Sequence, residues 1–263
     1  MLTLDQIRTA LNLRTHHGTP SYLLAEYIQC QLLDSLFKQE SSAYLSFIGG
    51  TAIRLVYGGT RFSEDLDFDN FGLSFPDFQN LIASVITDME QKGYTMEGRF
   101  VQKEAYHCYI KFPKILFDHG LSPLQDEKLI IRIDTVRKDK IFSPASYILN
   151  RFDIRRTIHV NPASIILSQK LMTIIGRKRT KGRDFFDVNF LWGQTKPDFA
   201  YIKTLTGKET NDFFRALKDR CRALDFQRLA NDVERFLIYP EQKDRVTQFP
   251  QLLDQIISAY RNE

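Results

Sequence analysis

Asp65 and Asp67 stand two residues apart in Arg61-Phe62-Ser63-Glu64-Asp65-Leu66-Asp67-Phe68. On a strand that spacing turns both carboxylates to one face and Leu66 and Phe68 to the other. Two like charges so close repel each other, and a cation between them relieves the repulsion. Hard oxygen donors of this kind suit Mg²⁺, or Mn²⁺, shared with substrate phosphates. Asp134, the acid closing the apolar run Leu129–Ile133, is a natural third ligand. Upstream, Gly49-Gly50-Thr51 separates a short apolar run from a helical pattern, a place where backbone N–H groups can approach phosphate closely. The same residues also admit blander readings: a solvated strand face for Asp65 and Asp67, a strand-end residue for Asp134, and an ordinary strand–helix turn for the glycines.

A second group is cationic. The window 151–183 holds nine Lys or Arg and one acid, Asp153. At helical spacing, Lys170 and Arg177 share a stripe, so an ammonium and a guanidinium could both reach phosphate. The loop Lys178-Arg179-Thr180-Lys181-Gly182 suits a nucleic-acid backbone, and a solvated loop between core helices would read the same way. The five histidines show no zinc spacing, and no Cys–His or Ser–His signature marks a covalent nucleophile.

The elements that must carry these side chains follow from periodicity. Pro20 after Thr19 starts a helix through Lys38, with Leu24, Ile28 and Leu32 at helical spacing. Tyr44–Ile48 and Asp65–Asp69 read as strands, and Thr51–Tyr57 as a helix. Phe75–Lys92 is amphipathic behind a Ser74 cap. Tyr106–Phe112 and Leu129–Val136 are strands. Asn161-Pro162 caps a helix through Gly176, another spans Arg183–Trp192, and three or four more fill 198–262. The fold class is therefore α+β followed by an all-helical part, with domains at 1–150 and 151–263 and a poorly periodic join. Charge divides the same way: the total of +4 is the sum of −3 over residues 1–140 and +7 beyond. The 33 aromatic residues exclude a disordered chain. Three scattered cysteines give no disulfide framework, and neither a membrane-length apolar run nor a signal peptide is visible, so a cytoplasmic protein is expected.

Gly49–Phe68 resembles the first motif of the AbiEii/AbiGii-type nucleotidyltransferases. These are mostly toxins of type IV toxin–antitoxin pairs, the MenT group included, within the DNA polymerase β-like superfamily. Lys170-Leu171-Met172-Thr173 with Arg177 is similar to the family's lysine helix, with Thr173 where Ala is preferred. Arg183-Asp184-Phe185-Phe186-Asp187 is similar to its last motif. The blocks occur in family order over residues 45–192. Polymerase β relatives usually place Ser after the first Gly, whereas this chain has Gly50 there and then Thr51. The resemblance implies a polymerase β-like domain, a mixed sheet with flanking helices, followed by helices that complete the active site and bind the acceptor. It implies transfer of an NMP from an NTP to the 3′ end of tRNA or another RNA. Asp65, Asp67 and Asp134 would hold metal, with Lys170 and Asp184 also catalytic. Gly49, Gly50, Thr51, Ser63, Lys170 and Arg177 would bind nucleotide, and Arg179, Lys181 and Arg183 the acceptor. An antitoxin partner is implied by family alone. Two alternatives stand beside this reading: nucleotidylylation of a protein, and a non-catalytic nucleotide- or antitoxin-binding module.

Overall fold

The computed structural model describes residues 1–11, 20–139 and 141–261. The Thr19 cap, His16 and His17 lie outside them. The chain forms two compact units: residues 1–58 with 62–161, and residues 59–61 with 162 onward.

The first unit is built on a seven-stranded mixed sheet. Its strands are β1 (Leu45–Ile48), β2 (Leu66–Asn70), β3 (Glu97–Gln102), β4 (Ala105–Phe112), β5 (Leu129–Arg137), β6 (Ala145–Arg151) and β7 (Ile154–Val160), in the order β3-β4-β5-β2-β1-β7-β6. Five helices accompany it: α1 (Leu4–Ala10), α2 (Pro20–Phe37), α3 (Gly49–Leu55), α4 (Phe75–Gln91) and α5 (Ile115–Asp118). Central β2 runs antiparallel to β1 and parallel to β5. Leu66 and Phe68 are buried on its inner face, as alternation requires.

Helix α4 shows how local sequence sets an element. The Ser74 hydroxyl accepts the Asp77 N–H, and Phe78, Leu81, Ile82, Val85 and Met89 form its buried stripe. Phe78 meets Phe100 of β3 and Tyr106 of β4, so α4 covers one face of that sheet edge. Helix α2 is buried nearly all round. Its Glu26 is paired with Arg54 of α3 and Arg151 of β6, which lets a carboxylate persist in the core.

The segment 138–161, weakly periodic in sequence, forms the β6–β7 hairpin. Strand β6 lies at the sheet edge with most of its residues exposed, so no core-facing alternation marks it. Asn161 does not cap the next helix. Its Nδ2 donates to Asp69 Oδ2 at 2.7 Å, its N–H to the Phe47 carbonyl, and Pro162 takes the cap position. Asp69, on the face of Asp67, is thereby a buried structural acid.

The second unit is helical: α6 (Ala163–Gly176), α7 (Gly182–Trp192), α8 (Phe199–Thr206), α9 (Thr210–Arg222), α10 (Phe226–Glu234), α11 (Asp244–Thr247) and α12 (Phe249–Arg261). Among the described residues five α-helices follow Asp198, where three or four are expected from the sequence. Residues 59–61 join this unit through backbone: the Ile238 N–H donates to the Thr60 carbonyl at 3.0 Å, and Arg61 bridges Leu237. Among the described residues no helix is long and apolar enough to cross a membrane.

Candidate active site

The carboxylates sit on adjacent strands in register. Asp67 of β2 is the Cα partner of Asp134 on β5, and His107 of β4 is the partner of Asp134 from the other side. Asp65 immediately precedes β2, on the face of Asp67. Two features of α3 hold this end of β2. Gly49 follows β1 with φ +79, and a Cβ there would lie 2.3 Å from Asp67 Oδ2, so the carboxylate occupies space that only glycine leaves open. The buried Thr51 hydroxyl donates to the Asp65 carbonyl at 2.5 Å. Thr51 thus fastens the strand entrance, and its hydroxyl proton is committed to the protein. The Ser63 carbonyl accepts from Gln29 Nε2 at 2.9 Å, fixing the segment before Asp65 to α2.

The carboxylates are held by protein cations. Arg132, two residues before Asp134 and on the same face of β5, reaches Asp65 Oδ2 with Nη2 at 2.8 Å and Asp134 Oδ2 with Nε at 2.8 Å. His107 Nδ1 lies 2.8 Å from Asp134 Oδ1. Burial works against the charge of Arg132, but Asp65, Asp134, a hydrogen bond with Tyr109 and Asp67 together push its pKa upward. Among the described residues no three His, Cys, Asp or Glu side chains are gathered closely enough to hold a metal ion. The donor set nonetheless fits a hard divalent cation: Asp67 and Asp134 are in register, and Asp65 and Asp134 already share one positive partner.

The second unit holds a charge cluster of its own. Lys170 Nζ lies 3.2 Å from Asp184 Oδ1 and 2.8 Å from Asp187 Oδ2. Arg61 grips Asp187 with two bonds of 2.6 Å, and Arg177 donates to Asp184. Two aspartates therefore face three cations. Arg61, Asp184 and Asp187 are buried, and Lys170 and Arg177 are the more exposed members, so the excess positive charge lies towards solvent. Burial would raise the Asp187 carboxyl; Arg61 and Lys170 outweigh it and hold it at about 2.

Helix α6 ends at Gly176, so Arg177 is its cap residue rather than part of a helical stripe with Lys170. The Arg220 guanidinium of α9 donates to the carbonyls of Arg177 and Lys178 and to the Thr180 hydroxyl, fastening the cationic loop. Arg179 is exposed, and Lys181 and Arg183 are half-buried.

Arg61, Arg132 and His107 join these clusters without a motif of their own to mark them. Arg132 and His107 are legible in the sequence, since period-2 alternation puts both on the polar face of their strands. Arg61 is not, because its partner lies 126 residues away.

Known proteins resemble this one chiefly in fold. No curated protein matches the chain. The crystal structure of JHP933 from Helicobacter pylori is similar with TM-score 0.55 at 17% identity, over 92% of this chain and 95% of that one. MenT4, the nucleotidyltransferase toxin Rv2826c of Mycobacterium tuberculosis H37Rv, is similar with TM-score 0.58 at 17% identity, over 97% and 90% of the two chains. The family model for the nucleotidyl transferase AbiEii toxin of type IV toxin–antitoxin systems matches residues 31–255, from within α2 to within α12. A match of that extent, enclosing both clusters, makes this chain a member of the AbiEii family of toxin nucleotidyltransferases.

Proposed function

We propose that the protein transfers an NMP from an NTP to the 3′ end of an RNA, tRNA being the acceptor its family resemblance favours. It does so in the cytoplasm with Mg²⁺ or Mn²⁺, and a cognate antitoxin restrains it. The observation that carries this reading is the register of Asp67 with Asp134 on neighbouring parallel strands, beside Asp65. Asp65, Asp67 and Asp134 are the metal ligands. When bound, the metal supplies positive charge for the transferring phosphoryl group and acidifies the acceptor hydroxyl.

The chain's own groups do the rest. Gly49, Gly50 and the Thr51 backbone border the phosphates, with Ser63 at the entrance to the carboxylate strand. His107 fixes the orientation of Asp134 through Oδ1. Lys170 neutralises phosphate charge, with Arg177 beside it, and Asp184 orients both cations by accepting from each. Arg179, Lys181 and Arg183 meet the acceptor backbone.

The test is incubation of the purified protein with Mg²⁺, each labelled NTP in turn, and total RNA or cell extract. Label is expected in RNA, with transfer lost in Asp65→Ala and Asp67→Ala while both variants keep their fold by circular dichroism. Label in protein instead of RNA, or transfer that survives either substitution, overturns the reading. Steep weakening of acceptor binding with salt accompanies an RNA acceptor.

A further inference from the structure

We infer that Arg132 is an internal counter-cation that competes with divalent metal for Asp65 and Asp134, so that the metal site fills well only together with nucleotide. The inference rests on the reading of those carboxylates as metal ligands. One guanidinium spans the two acids: its Nη2 donates to Asp65 Oδ2 at 2.8 Å and its Nε lies 2.8 Å from Asp134 Oδ2 as a charge contact, so both oxygens that would face the ion already face the arginine. An ion cannot take those oxygens at about 2.1 Å while the guanidinium stays in place. Nor would a divalent charge and a guanidinium share the pocket without strong repulsion.

The arginine is held in place yet free to leave. Tyr109 is its Cα partner on β4, beside it on the same face of the sheet. Its side chain is 35% exposed, which leaves a path out of the acid pair. What draws it out must offer equal compensation, and a triphosphate does, because phosphate oxygens match a guanidinium fork as carboxylates do. Metal neutralises the acids and phosphate takes the arginine. Each ligand therefore lowers the cost of binding the other, which is reciprocal coupling between two sites. Without nucleotide, Arg132 keeps the three acids partly neutralised.

The experiment measures Mn²⁺ binding to the full chain by calorimetry, for wild type, Arg132→Gln and Arg132→Lys, with and without an NTP analogue that cannot be cleaved between its α and β phosphates. Without nucleotide, Arg132→Gln should bind Mn²⁺ about tenfold more tightly than wild type, the equivalent of one partly buried charge pair. Arg132→Lys keeps the charge without the fork and should fall between them. The analogue should strengthen Mn²⁺ binding in wild type and do so less in Arg132→Gln. Equal Mn²⁺ affinities for wild type and Arg132→Gln overturn the competition while leaving the metal site standing. Mn²⁺ binding that survives Asp65→Asn in the Arg132→Gln background overturns the carboxylate assignment, and the inference with it.

Discussion

Arg61 and Asp187 form a two-pronged ion pair, Nε to Oδ1 and Nη2 to Oδ2 at 2.6 Å each, with both side chains almost wholly removed from water. The carboxylate also accepts from Lys170, so one buried acid fixes two cations. Breaking such a pair from one side leaves a stranded charge. Arg61→Met should cost about 3 kcal/mol of stability. Replacing both partners, as Arg61→Met with Asp187→Leu, should cost at least about 1 kcal/mol less than the sum of the single changes, in urea unfolding followed by circular dichroism. Strict additivity would mean the pair is not coupled.

The same acid sets an acid-range dependence. Asp187 titrates at about 2 in the folded chain against an ordinary aspartate value of 3.8. As pH falls through this interval the unfolded chain takes up a proton that the folded chain refuses. The stabilisation is complete above about pH 4 and is lost towards pH 2, on the order of 2 kcal/mol in all. Asp88, also lowered to about 2, contributes over the same interval. The stability gap between wild type and Asp187→Asn should therefore narrow between pH 5 and pH 2.5 in unfolding midpoints. A gap that stays constant would contradict the depressed carboxyl.

Gly49 and Gly58 provide a matched comparison at the carboxylates. Both have positive φ, +79 and +77, so alanine at either position carries similar backbone strain, about 1 kcal/mol. Only at Gly49 does the added Cβ meet Asp67; at Gly58 nothing lies within 4 Å. Gly49→Ala should lose transfer activity on the order of a hundredfold, the usual consequence of misplacing a reacting group by an ångström. Gly58→Ala should keep its activity. Equal losses in the two variants would assign the effect to strain instead of to Asp67.

Gly182 opens α7 against α10. A Cβ there would lie 1.8 Å from the Leu229 carbonyl oxygen, a backbone atom with nowhere to go. Gly182→Ala should lower stability by about 2–3 kcal/mol, read from thermal unfolding. Gly193→Ala, whose nearest neighbour lies at 3.6 Å, should unfold close to wild type.

How far the molecule is legible in its sequence depends on the range of the interaction. The face shared by Asp65 and Asp67 is legible because strand geometry alone dictates it, and the α4 stripe because one helix period does. The β6–β7 hairpin is not, because β6 draws its order from backbone pairing with β7 at a sheet edge and needs no pattern of its own. Asn161-Pro162 reads as a cap, but a buried Asp69 claims the amide. Arg61 sits inside a motif otherwise devoted to the carboxylates, and nothing local tells that its guanidinium serves the helical unit.

That placement has a bearing on how the chain is made. A ribosome delivers Arg61 long before Asp187 and Leu237, yet those are its partners. Synthesis through Asn161 supplies every strand of the sheet, while residues 59–61 still wait for the rest of their unit. The later helices must therefore close around a segment already made, and Asp187 meets Arg61 and Lys170 once α7 is out. A chain arrested after Asn161 would hold Asp65, Asp67 and Asp134 without the charge cluster of Lys170, Asp184 and Asp187. The sheet and its carboxylates are thus laid down before the stretch of chain that completes the charge cluster around Asp187.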